Sequence, residues 1–147
     1  MKPYLDCGFL LVLLTRTPAT SIASAILRQF SPPIQINFLH QLQAENLLIR
    51  FQRDANPDLQ TNGNEGLRLW NHYLHEGVFS MVAVDWESAF RNAIAWSRVH
   101  HTAPPSPWLL LHPALALTSG ATHFCSFDPR VRALARAHGL HLLPETL

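Results

Sequence analysis

Strand-like apolar runs alternate with helical stretches along this 147-residue chain, and this alternation limits the fold more than any other feature. The runs with strand character are Pro3–Asp6, Ile34–Asn37, Phe79–Val84, His123–Phe127 and His141–Leu143. Strands joined through helices pair in parallel, and the helices then cover both faces of the sheet. The alternation therefore predicts an α/β protein with a central parallel sheet.

The helices between these runs follow from apolar spacing and from capping residues. They are predicted at about 9–14, 20–30, 39–53, 67–75, 86–100, 108–118 and 129–138. The polar segment Thr61–Gly66 is predicted as a turn before the fourth helix. The proline-rich segment Ala103–Pro107 is predicted as a rigid loop.

Length and composition indicate one compact domain over residues 1–147. The hydrophobic share of 48% and the charged share of 14% argue against disorder. The net charge of +1 gives no indication of a general polyanion-binding surface. Ten of the eleven basic residues are arginine, which suits phosphate contact, although a bias in genome composition would produce the same count.

Two aspartates stand where open α/β sheets build ligand sites. Asp6 follows the first strand and Asp128 follows the strand that starts at His123, and each precedes a helix. Ligands bind outside the carboxyl ends of parallel strands, so both are candidate site residues. For Asp6 the alternative is that it only caps the helix after it.

The order of these segments resembles the PIN-domain family, and within it the VapC-type toxins of bacterial toxin–antitoxin pairs. The resemblance rests on Tyr4-Leu5-Asp6 and its helix, Leu39–Asn46, Leu110–Leu117, Gly120–Asp128 and Leu134–Leu140. It implies a three-layer α/β/α fold with a central parallel sheet, as a single PIN-like domain.

The resemblance also implies a chemistry. In the family, acidic residues at the carboxyl edge of the sheet hold Mg²⁺ or Mn²⁺, and the metal-bound water cleaves RNA. Asp6, Glu45 and Asp128 fall on three of those acidic positions, so they are the implied catalytic and metal-binding residues. Oxygen ligands from distant parts of the chain are what Mg²⁺ requires. The implied partners are an RNA substrate, a cognate antitoxin protein and a second copy in a homodimer.

Two departures from the family pattern bear on activity. Leu109 occupies the place of a fourth acid, and an apolar side chain cannot ligate a hard cation. Pro113 lies where a helix interior is expected, so the helix either begins later or is kinked. We therefore predict an endoribonuclease with impaired activity. The alternative is a catalytically inactive PIN scaffold that binds RNA or an antitoxin.

Other polar residues have two interpretations each. Glu45 faces either a metal or solvent. His112 either replaces the missing acid as a metal ligand or is a core histidine with its hydrogen bonds made. The arginines that follow Asp128 either guide RNA phosphates or form a solvated face; they are Arg130, Arg132 and Arg136. His72 and His75 are interpreted as surface histidines, because no third ligand is evident.

The remaining features concern location. Cys7 and Cys125 are too few for a disulfide framework, which favours a reducing compartment. The apolar run Phe9–Leu14 is too short for a signal peptide core or a membrane span. We therefore expect a soluble cytoplasmic protein with no membrane partner.

Overall fold

The structure is a computed structural model that describes residues 1–99 and 106–146. These residues form five strands, which are β1 (Pro3–Leu5), β2 (Ile34–Ile36), β3 (Phe79–Met81), β4 (His123–Cys125) and β5 (His141–Leu143). They also form seven helices, which are α1 (Cys7–Leu14), α2 (Thr20–Leu27), α3 (Phe38–Gln52), α4 (Pro57–His75), α5 (Trp86–Val99), α6 (Pro107–Thr118) and α7 (Pro129–Ala137). The chain divides into two compact units, one of Met1–Tyr4 with the residues from Ala83 onward, the other of Leu5–Val82. The single domain expected from the sequence stays a prediction.

The unit that contains the chain's second half is built on a three-stranded sheet of order β1-β4-β5. β4 and β5 pair in parallel, with His123 opposite His141. Tyr4 stacks on Phe124 at a ring-centroid distance of 5.7 Å, and Phe124 is fully buried. Helices α5 and α6 pack together, and α6 packs on α7. The expected α/β class with parallel strand pairing is confirmed.

The unit of Leu5–Val82 contains a second parallel pair, β2 with β3. Its core holds Phe9, Leu10, Leu48 and Trp70, all of them fully buried. Each such side chain contributes about 1.5–3 kcal/mol by leaving water. Helix α3 packs along α4, and α1 packs on α2, α3 and α4. This core therefore supports the two segments that carry Asp6 and Glu45.

Helix α4 corrects the predicted turn at Thr61–Gly66, because one helix runs from Pro57 through His75. Asn56 caps it and Pro57 opens it, a combination that favours a helix start. The two glycines serve close packing rather than a turn. A Cβ atom at Gly63 would lie 2.3 Å from the Gln52 backbone nitrogen, and one at Gly66 would lie 2.4 Å from Leu48 Cδ2.

The other predicted elements agree closely with the structure, with two refinements. The strand expected at Phe79–Val84 ends at Met81. Helix α6 begins at Pro107, so a later start is wrong and Pro113 lies buried inside the helix. Since proline has no N–H group, the Leu109 carbonyl receives no helical hydrogen bond from it. Most of the predicted loop Ala103–Pro107, and the end of the predicted fifth helix at His100, lie outside the described residues.

Candidate functional site

Asp6 is a buried helix cap, as the alternative interpretation proposed. It follows β1 directly, it is 4% exposed, and its Oδ1 accepts a hydrogen bond from the Phe9 backbone nitrogen at 2.6 Å. Burial, with a smaller effect of the Asp6 charge, raises the pKa of the neighbouring Cys7 thiol to about 12. Cys7 therefore stays protonated at neutral pH, and the Asp6 carboxyl group supplies the oxygen atoms of this segment.

Glu45 lies on α3, partly buried, and is bonded within its own unit. Its Oε1 accepts hydrogen bonds from Gln41 Nε2 at 2.9 Å and from Trp70 Nε1 at 3.1 Å. Trp70 is fully buried and has one polar group, so it requires an acceptor of this kind. Glu45 thus satisfies the buried indole, a role that neither interpretation from the sequence contained.

Asp128 caps α7 and forms an ion pair with Arg130. Its Oδ1 accepts from the Arg130 backbone nitrogen at 2.8 Å, and its Oδ2 accepts from Arg130 Nη2 at 2.8 Å. Hydrogen bonds from the Arg130 side chain hold the pKa of the Asp128 carboxyl below its usual range. The carboxylate stays ionised, but a guanidinium already contacts both of its oxygens.

Helix α6 carries Leu109 and His112. Leu109 is partly exposed, while His112 is 6% exposed and its Nδ1 lies 3.0 Å from the Tyr4 hydroxyl. The His112 ring also packs edge-on against Tyr4. These contacts support the interpretation of His112 as a core histidine.

The three arginines have different surroundings, so they do not form one shared surface. Arg132 is 5% exposed and donates to the backbone oxygens of Ser126 at 2.9 Å and Pro144 at 2.7 Å. Arg130 is committed to Asp128. Arg136 is exposed, which agrees with its interpretation as part of a solvated face.

His40 is a residue near the site that the sequence reasoning did not single out. It is 1% exposed, its Nδ1 accepts from the Asn37 backbone nitrogen at 3.1 Å, and its Nε2 lies 2.7 Å from the Leu5 carbonyl. Because Nδ1 accepts, Nε2 carries the proton and donates to Leu5. His40 therefore ties the residue before Asp6 to the start of α3. The Asn37–His40 spacing, a capping box, was the available signal.

The fit to a divalent metal is incomplete. Carboxylate oxygens suit Mg²⁺ or Mn²⁺. Among residues 1–99 and 106–146, however, no three or more His, Cys, Asp or Glu side chains are grouped so that they could hold a metal ion. Each implied ligand accepts hydrogen bonds from its own chain, and the fourth position is Leu109. Asp6, Glu45 and Asp128 therefore remain proposed ligands.

The fold is similar to that of a VapC toxin whose structure has been solved. The solved structure of VapC20 from Mycobacterium tuberculosis, a toxin that cleaves the sarcin–ricin loop, matches with a TM-score of 0.65 and 14% identity. The match covers 90% of this chain and 94% of that one. No protein-family model and no curated protein sequence matches the chain. The predicted PIN-like fold is confirmed.

Within the described ranges, no helix combines the length and the apolar character that crossing a bilayer requires.

Proposed function

We propose that this protein is a Mg²⁺- or Mn²⁺-dependent endoribonuclease of the VapC toxin type, with impaired activity. The observation that carries the proposal is the fold shared with VapC20 over 90% of the chain. Asp6 supports it, since this buried carboxylate directly follows a strand of the sheet, where ligand sites of α/β folds are built. An RNA substrate and an antitoxin partner belong to this proposal.

The chain's own residues would supply oxygen ligands and their positioning. Asp6, Glu45 and Asp128 are the proposed ligands. The cap bond to Phe9 fixes Asp6, and His40 fixes the residue before it. The chemistry that a bound Mg²⁺ or Mn²⁺ supplies is activation of water and neutralisation of phosphoryl charge.

Two features account for the impairment. Leu109 removes one oxygen ligand, so fewer carboxylates offset the cost of dehydrating the cation. Arg130 holds the Asp128 carboxylate through both oxygens, and a metal would have to displace this charge-assisted pair. We therefore expect weak metal binding and slow cleavage.

A second candidate function is an inactive scaffold that binds RNA or an antitoxin. The ion pair between Arg130 and Asp128 favours it, because it gives this carboxylate a stable structural role without metal. Fold alone does not distinguish an active nuclease from its inactive relative. The two candidates differ in whether RNA is cleaved or only bound.

The test measures cleavage of structured RNA, including a sarcin–ricin-loop oligonucleotide, by the whole chain with Mn²⁺, Mg²⁺ or EDTA. Asp6→Asn is the informative variant, because asparagine also caps helices well and the change removes only the charge. Asp54→Asn, at an exposed turn, is the matched control.

The nuclease proposal expects slow Mn²⁺-dependent cleavage that Asp6→Asn abolishes and Asp54→Asn leaves intact. RNA binding without cleavage, equal in Asp6→Asn, would favour the scaffold. Cleavage that persists in EDTA and in Asp6→Asn would contradict both.

A further inference from the structure

Two histidines face each other at the amino ends of β4 and β5, whereas Asp128 follows the carboxyl end of β4. His123 and His141 are the first residues of these strands and are paired in register. Partners in a parallel register present their side chains on the same face of the sheet. Their ring centroids lie 5.3 Å apart, with the ring planes at 34°.

This separation suits two imidazoles bound to one metal ion. A Zn–N distance of about 2.0–2.1 Å puts each ring centroid roughly 3.2 Å from the metal. At the tetrahedral angle, two such centroids are about 5.2 Å apart. The observed 5.3 Å between the ring centroids of His123 and His141 agrees with that value.

Thr122 orients the first of the two rings. Its Oγ1 lies 2.8 Å from His123 Nδ1, and it also accepts a hydrogen bond from the Lys2 backbone nitrogen at 3.0 Å. In the tautomer that carries its proton on Nδ1, His123 donates to Thr122 Oγ1 and presents its lone pair on Nε2. Metal-binding histidines are held by such a bond from the other ring nitrogen.

Both histidines line a cavity of about 480 Å³. Arg136 and Glu145 line it too, the first opposing a cation and the second favouring one. The volume leaves room for several waters to complete a coordination shell.

We propose that His123 and His141 together bind a divalent late first-row transition metal, Zn²⁺ or Cu²⁺, with water in the remaining positions. The site has two protein ligands, which is consistent with the absence of any group of three or more candidate ligands in residues 1–99 and 106–146. It does not depend on the nuclease function, because imidazole selects these metals whereas Mg²⁺ selects oxygen.

Metal binding by histidine depends on pH, because neutral imidazole is the form that binds metal. The charged groups around the pair are Arg136, Glu145 and the Met1 amino group.

The test is calorimetric titration of the whole chain with Zn²⁺, together with NMR of the histidine ring protons. His141→Asn is the informative variant, because His141 is exposed and its loss should leave the fold intact. His75→Asn is the matched control, because His72 and His75 on α4 are the competing histidine pair. Amide spectra confirm that each variant is folded.

The proposal expects one Zn²⁺ per chain and shifts in the His123 and His141 signals. The Zn²⁺ affinity should fall at least about tenfold in His141→Asn. Removing only a hydrogen-bond partner of a metal-binding residue already causes a loss of this size, and His141→Asn removes a ligand itself. Mg²⁺ should leave both signals unchanged. Zn²⁺ affinity that is absent in the wild type, equal in His141→Asn, or lost only in His75→Asn would overturn the proposal.

Discussion

His40 should make the stability of the Leu5–Val82 unit depend on pH in a defined window. Burial lowers the pKa of its imidazole from about 6.5 to about 4, despite the opposing effect of its bond to the Leu5 carbonyl. The folded protein therefore keeps His40 neutral where the unfolded chain protonates it. The stabilisation is complete above about pH 6.5 and is lost as the pH falls towards 4.

The magnitude follows from the size of the pKa shift. Each unit corresponds to about 1.36 kcal/mol, and the difference between 6.5 and 4 is 2.5 units. The free energy of unfolding should therefore decrease by about 3 kcal/mol between pH 7.5 and pH 4. Asp128 and Asp85, whose pKa values are also lowered, start from 3.8 in the unfolded chain and lose their contributions below this window. His123, whose pKa is lowered from 6.5, loses its contribution within the window, and that part of the pH dependence stays in His40→Gln.

The assay is urea unfolding at several pH values, followed by tryptophan fluorescence, which reports on the buried Trp70. His40→Gln keeps a neutral side chain of similar reach and should lose most of the pH dependence between 7.5 and 4. His75→Gln, at an exposed position, should retain it. Equal pH dependence in the wild type and His40→Gln would refute the reasoning.

Two further predictions concern packing and buried charge. Gly63→Ala should lower the free energy of unfolding by about 2 kcal/mol or more, because the new Cβ would lie 2.3 Å from the α3 backbone. The control Thr61→Ala, at an exposed position of the same helix, should change it by less than about 0.5 kcal/mol. Equal urea midpoints for the two variants would contradict this account of α4. Arg132→Met should destabilise by about 2–4 kcal/mol, because carbonyl acceptors lose a buried charged donor, while the exposed Arg136→Met should be nearly neutral in thermal unfolding. A mild Arg132→Met would mean that its hydrogen bonds contribute little.

Most of the fold was predictable because its signals are local. Alternating apolar runs, caps such as Asp6, and the positive φ of Gly139 after α7 all act within a few residues. The segment around Gly63 and Gly66 misled the prediction because glycine signals both a turn and close helix packing. Only the position of α3 against α4 decides between the two.

The candidate site was predictable in its residue types but not in their partners. The position of Asp6 before a helix indicated a cap, and that cap is present. The structure shows that Asp128 caps its helix as well. The contact between Glu45 and Trp70 joins residues 25 positions apart, and that between His40 and Leu5 joins residues 35 apart. Separations of this size leave no periodic signal in a single sequence.

The central claim is that a weakened oxygen ligand set limits an RNA-cleaving PIN fold, and Leu109→Asp tests it most directly. The measurement is the rate of structured-RNA cleavage in Mn²⁺, together with Mn²⁺ affinity, for the wild type, Leu109→Asp and the uncharged control Leu109→Asn. The account predicts that Leu109→Asp raises both quantities, that Leu109→Asn does so far less, and that adding Asp6→Asn removes the gain. No gain in either quantity for folded Leu109→Asp would contradict the account.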